Sequence, residues 1–136
     1  DVQTLPHVLL LRIDESLYFA NAKRVEDFVL CSVAERPQLR HLVLICSAIN
    51  FIDASALETL ASLLARLHDA GIQLHLTEVK GPVMDRLAAT DFIAHLSGKV
   101  FLSQHQAMTA IRQALAASKT DSDQVEDPHA AVTWQI

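Results

Sequence analysis

The sequence predicts an α/β fold, a mixed and mostly parallel β-sheet of about five strands flanked by four helices. Three observations predict it. Short aliphatic runs, too brief for a globular helix, recur along the chain. Between them lie longer stretches whose apolar residues return every third or fourth position, the pattern of one buried helix face. The connections are short, as βαβ crossovers require.

The first run is Val8-Leu9-Leu10-Leu11-Arg12-Ile13, a strand. Asp14-Glu15-Ser16 reads as a turn and Leu17-Tyr18-Phe19 as a short second strand, so the two are expected to pair as a hairpin. Asn21 is then expected to cap a helix with apolar positions Ala22, Val25, Phe28, Val29 and Val33. Pro37 ends it, because its ring and missing N–H cannot continue a helix. Leu42–Cys46 is the third strand, and Leu57, Leu60, Ala61, Leu64 and Leu67 mark a helix over 54–69 that Gly71 closes. Ile72–Thr77 alternates apolar and polar residues, a fourth strand. Gly81-Pro82 opens a third helix with proline at its first position, as helices prefer, and 90–98 is a connection. Val100–Leu102 is a short fifth strand. Ser103 with Gln106 forms a capping box for the last helix, which runs through Ala107, Ala110, Ile111, Ala114 and Leu115.

A chain of 136 residues suits one domain with one core. Apolar residues make up 51%, yet no run approaches the roughly 18–20 apolar residues of a membrane span, so a soluble piece is expected. It opens at Asp1 with no methionine and no signal peptide, as a piece of a longer protein would. Residues 1–117 form the expected domain and 118–136 an acidic disordered tail that adds little stability. In that tail Lys119 stands against Asp121, Asp123, Glu126 and Asp127, a net −3 of the chain's −5. Trp134 near its end is read as incidental. With no basic stripe, nucleic acid is excluded as a partner. Cys31 and Cys46 match no metal spacing and are expected to be packed, reduced thiols in a cytosolic setting.

Catalytic chemistry has little to stand on. Gly71, Gly81 and Gly98 are the only glycines, so no G-x-G-x-x-G or Walker loop can be written, and no cofactor is expected. Of the seven histidines, His7, His68 and His129 fall at expected surface positions, His41 and His75 on strands, and His95 and His105 near connections. None shares a helix face with another at i, i+4, so no metal site is expected. Ser55 lacks the G-x-S-x-G elbow of a hydrolase, and no enzyme is expected.

The candidate site is the strand-to-helix junction Asn50-Phe51-Ile52-Asp53-Ala54-Ser55-Ala56-Leu57. Asp53 can cap the helix, or Ser55 can with Glu58 as its capping-box partner. Either way Ser55 sits by unpaired N–H groups and the positive helix end, where a phosphate would be favoured. The simplest reading of Asp53 and Ser55 is that they start a helix.

That phrase, with Arg12-Ile13-Asp14-Glu15-Ser16-Leu17-Tyr18-Phe19-Ala20-Asn21-Ala22 and Glu78-Val79-Lys80-Gly81-Pro82-Val83-Met84-Asp85-Arg86-Leu87, resembles the STAS domain, the module shared by sulfate transporters and anti-sigma factor antagonists. The resemblance spans residues 6–117, and the outer two phrases look like the SulP transporter branch. It implies a non-catalytic regulatory and assembly domain on the cytoplasmic face of the membrane. Its partners would be a transmembrane domain of the same chain, a second copy within a dimeric transporter and a regulatory protein. The transported ion would be of the sulfate, bicarbonate or dicarboxylate class. Some transporter members contact nucleotides or carrier proteins, but here no glycine loop would cradle a nucleotide. In the antagonist branch the serine matching Ser55 is phosphorylated, which makes Ser55 the implied regulatory site and Asn50, Asp53, Ser55 and Glu58 the implied partner contacts. Ala56 stands where antagonists often have glycine, a departure that agrees with the transporter branch. The alternative is a free-standing antagonist switched at Ser55.

Overall fold

The computed structural model describes residues 6–118 and 133–135. Five strands, β1 (Val8–Arg12), β2 (His41–Ile45), β3 (Gln73–Thr77), β4 (Val100–Phe101) and β5 (Thr133–Gln135), form one sheet in the order β4-β3-β2-β1-β5. Every pairing is parallel. Five helices join them: α1 (Phe19–Glu35), α2 (Ala54–Asp69), α3 (Gly81–Ala88), the single-turn α4 (Phe92–His95) and α5 (Gln104–Ser118).

The order of the strands decides which face each helix covers. From β1 to β4 the chain steps in one direction, so crossovers of one hand stack α1 to α4 on one face. Leu9, Leu11, Leu42, Leu44, Leu74 and Leu76 point there and meet Val25, Val29, Leu60, Leu63, Leu67, Val83 and Phe92. The step from β4 back to β5 reverses direction and puts α5 on the other face, where Ala107, Met108 and Ile111 cover Val8, Leu10, Val43 and Ile45. The aliphatic run of β1 is buried on both sides, hence its lack of polar alternation.

Several expectations are met in detail. Proline opens α3 as expected but one place later, Gly81 being the first helical residue and Pro82 the second. Helix α2 ends in a Schellman motif, with Ile72 N–H donating to the Leu67 carbonyl and Gly71 N–H to that of His68. Gly71 takes the positive φ of 78° this requires. Half of the expected capping box of α5 forms: Ser103 accepts from Gln106 N–H at 3.1 Å, but the Gln106 side chain accepts from Leu102 N–H rather than from Ser103 N–H.

Others are corrected. Leu17–Phe19 is no hairpin strand. Leu17 makes one isolated parallel bridge to Ile52, and Phe19 already belongs to α1. The aromatic residues that suggested β-structure face solvent, Tyr18 at 52% and Phe19 at 57% exposure. Asn21 is not the cap of α1 but lies within its first turn, accepting from Tyr18 N–H at 2.7 Å. Cys46 is buried as expected, which pushes its thiol up to about 12, but Cys31 is exposed. The expected tail contributes to the sheet, since Leu11 is opposite Trp134 in the β1–β5 register. The remainder of that tail, 119–132 and 136, lies outside the described residues.

Candidate functional site

Two loops leave the carboxyl ends of β1 and β2 and run side by side. Ser16 Oγ accepts from the backbone N–H groups of Asn50 and Phe51, both at 3.1 Å. Leu17 N–H donates to the Phe51 carbonyl at 2.9 Å, and Asp53 N–H to the Leu17 carbonyl at 3.0 Å. Asn21, itself buried, secures the first loop by donating to the Ser16 carbonyl while accepting from Tyr18 N–H.

Helix α3 holds the second loop from the other side. Arg86 Nε donates to the Ile52 carbonyl, and the guanidinium carbon lies 5.3 Å from the centroid of the Phe51 ring. Such a cation–π contact at an exposed site is worth roughly 0.5–1 kcal/mol. Lys80 Nζ donates to Asn50 Oδ1. Tyr18 and Phe51 stack obliquely with ring centroids 5.9 Å apart. The loop is thus fixed before any partner arrives.

Among the four residues named from sequence, Asp53 is the cap of α2. Its Oδ1 accepts from Ala56 N–H at 2.8 Å, and its backbone is extended. Ser55 is the second residue of the helix, so the Ser55–Glu58 capping box does not form. Ser55, Glu58 and Asn50 are exposed and Asp53 is half-buried. The four therefore share one helix end, with distinct roles. Sequence reasoning missed Tyr18, Phe19, Phe51 and Arg86, which surround that end. For Tyr18 and Phe19 the available signal is an aromatic pair beside a turn, a pattern that also fits a strand; nothing local marks Arg86.

A second cluster, also missed, lies on the α5 side of the sheet. His41 Nδ1 is 3.1 Å from His75 Nε2, and the rings stack 24° from parallel. The backbone N–H of Lys99 donates to His75 Nδ1 at 3.2 Å. That nitrogen must therefore carry a lone pair, so His75 holds its proton on Nε2 and donates it to His41. A proton added to either ring would set two N–H groups against each other. Burial first, then the charge of His41 and of Lys99, lowers His75 to about 4. Burial first, then His7, also lowers His41. Gly98 is required beside this pair, because a Cβ there would come within 2.4 Å of His75 Nδ1 and of the Leu74 carbonyl oxygen.

Among the described residues no group of three or more His, Cys, Asp or Glu side chains is placed to hold a metal ion. No described helix is long and apolar enough to cross a membrane.

A family model for the STAS domain matches residues 1–107. Sulfate transporter 3.1 of Arabidopsis thaliana is 27% identical over 137 residues, covering 93% of this chain and 21% of the transporter. The chain thus spans about a fifth of that relative's length. The solved STAS domain of a SulP transporter from Vibrio cholerae superposes with a TM-score of 0.69 at 24% identity, over 85% of this chain and 89% of that one. A candidate anti-sigma factor antagonist from Thermotoga maritima superposes with a TM-score of 0.66 at 18% identity, over 82% and 93%. At these identities the two structures are evidence of a shared fold.

Proposed function

The chain belongs to the STAS-domain family, and from that premise we propose that it is the non-catalytic regulatory and assembly domain of a membrane anion transporter of the sulfate, bicarbonate or dicarboxylate class. It sits at the cytoplasmic face of the membrane, joined to a transmembrane part of the same protein, within a dimeric transporter. The similarity to a sulfate transporter about five times longer supports this reading.

The observation that carries it is the preassembled face at the start of α2. Exposed Tyr18, Phe19 and Phe51 stand beside Arg86, Lys80 and Ser55 on loops cross-tied by hydrogen bonds. Aromatic and arginine side chains of this kind anchor protein interfaces, and a fixed backbone lowers the entropy lost on docking. A tethered module acts at high effective concentration, so weak docking is enough to bias the transporter between states it contacts differently.

The test is ion uptake by the full-length protein. Tyr18→Ala combined with Phe51→Ala is expected to abolish most uptake at unchanged membrane abundance, while the isolated domain still folds. Normal uptake would overturn the regulatory reading. Ser55→Asp, which adds charge to the same face without removing the Asp53 cap, is expected to impair uptake too. The alternative is a free-standing antagonist, favoured by the exposed Ser55 hydroxyl at the antagonist phosphorylation position. It predicts phosphate on Ser55 in cells and no hydrophobic spans upstream of Asp1.

A further inference from the structure

Helix α2 is packed against α1 on one flank only. On its other flank α4 is a single turn, and between them lies an open groove of about 770 Å³. Its floor is apolar, formed in part by buried Leu64 and Phe92. Along its wall Ala61 and Ala65 are exposed one turn apart, small enough to let another helix approach to the usual 8–10 Å between axes. From Leu57 to Asp69 the wall is about 18 Å long, some three helical turns. Its ionisable side chains are the carboxylates Glu58, Asp69 and Asp91 and the imidazoles His68 and His95, with neither lysine nor arginine among them.

We infer that this groove receives a basic amphipathic helix of about three turns, presented by the part of the longer protein that this chain lacks. Apolar side chains of that helix would sit over Leu64 and Phe92, and its lysines or arginines would meet the acidic rim. Charge decides against the other occupants. The segment 119–132 carries Asp121, Asp123, Glu126 and Asp127 and would be repelled. Among the described residues a second copy offers no basic helix: α1 offsets Lys23 and Arg24 with Glu26, Asp27 and Glu35, α2 sets Arg66 against Glu58 and Asp69, and the apolar face of α5 is in the core. The inference rests on the proposed docking function and names its partner, since Glu58 belongs both to the groove and to the face at the start of α2.

Two synthetic helical peptides of about 14 residues, with one leucine face and either lysine or glutamate on the other, test it against the whole chain by fluorescence anisotropy. The lysine peptide is expected to bind at least about tenfold more tightly than the glutamate peptide at low salt. Asp69→Lys with Asp91→Lys should reverse that preference. Ala65→Trp, at an exposed position, should fill the groove and abolish binding of both, with circular dichroism unchanged. Equal binding of both peptides, no binding, or indifference to Ala65→Trp would overturn the inference. So would displacement of the lysine peptide by a synthetic 119–132 segment at the groove, or a dimer in sedimentation that Ala65→Trp dissolves. Because these readouts need no transport, failure here with uptake still lost in Tyr18→Ala/Phe51→Ala would remove the helix partner and leave the docking function standing.

Discussion

At the scale of single residues, the cap of α2 separates two side chains that look equivalent in sequence. Asp53→Ala removes a true cap and is expected to cost about 0.5–2 kcal/mol in urea unfolding. Ser55→Ala removes none and should stay within about 0.5 kcal/mol of the parent. If Ser55→Ala were the costlier change, the assignment of the cap would fail. The histidine pair gives a second test. In the unfolded chain His75 titrates near its ordinary 6.5, while in the fold it is held at about 4. Between those values the unfolded chain binds a proton that the folded chain refuses, so stability falls as pH is lowered through this window. Above about 6.5 the contribution is complete, and below about 4 its loss is complete. Melting temperatures from pH 8 to 4 should decline by several degrees more in the parent than in His75→Gln. Parallel curves would show that His75 takes up its proton in the fold as readily as in the unfolded chain.

At the scale of elements, the hydrophobic pattern found α2, α3 and α5 and the strands β1 to β4 because burial dictates that pattern directly. It failed at Leu17–Phe19, where only Leu17 is buried and the two aromatics face outward. A propensity read from residue type alone ignores burial, on which strand preference depends, so it could not tell these two exposed aromatics from a strand. The phrase around Ser55 pointed to the strand-to-helix junction, but the cross-ties of that junction were illegible. Ser16 and Asn50 are distant in sequence, and nothing local announces that one hydroxyl serves two backbone N–H groups. The His41–His75 pair was hidden likewise, since the β2–β3 register brings them together. Asn21 is the residue on which the first loop depends. Asn21→Ala leaves Tyr18 N–H and the Ser16 carbonyl without their partner and is expected to destabilise the domain by about 1–3 kcal/mol. An unchanged denaturation midpoint would mean that water replaces the side chain without loss.

At the scale of the whole molecule, β5 alters the expectation for the C-terminal segment. A chain cut after Ser118 loses the strand that pairs with Leu10, Leu11 and Arg12 and leaves β1 as an open edge. Its melting temperature should fall by several degrees, and its tendency to self-associate should rise with concentration. A cut that changes neither would show that the β1–β5 pairing contributes nothing in solution. The strand order also has a consequence for synthesis. Each of β2, β3 and β4 pairs with the strand made immediately before it, so a growing chain can add them one at a time. Only β5 must return past three finished strands to reach the first one made. Pairing at such long sequence separation is slow, and domains fold as their segments leave the ribosome. The sheet from β1 to β4 would therefore be assembled while β5 is still being translated, and for that interval the first strand made stays uncovered along its outer side.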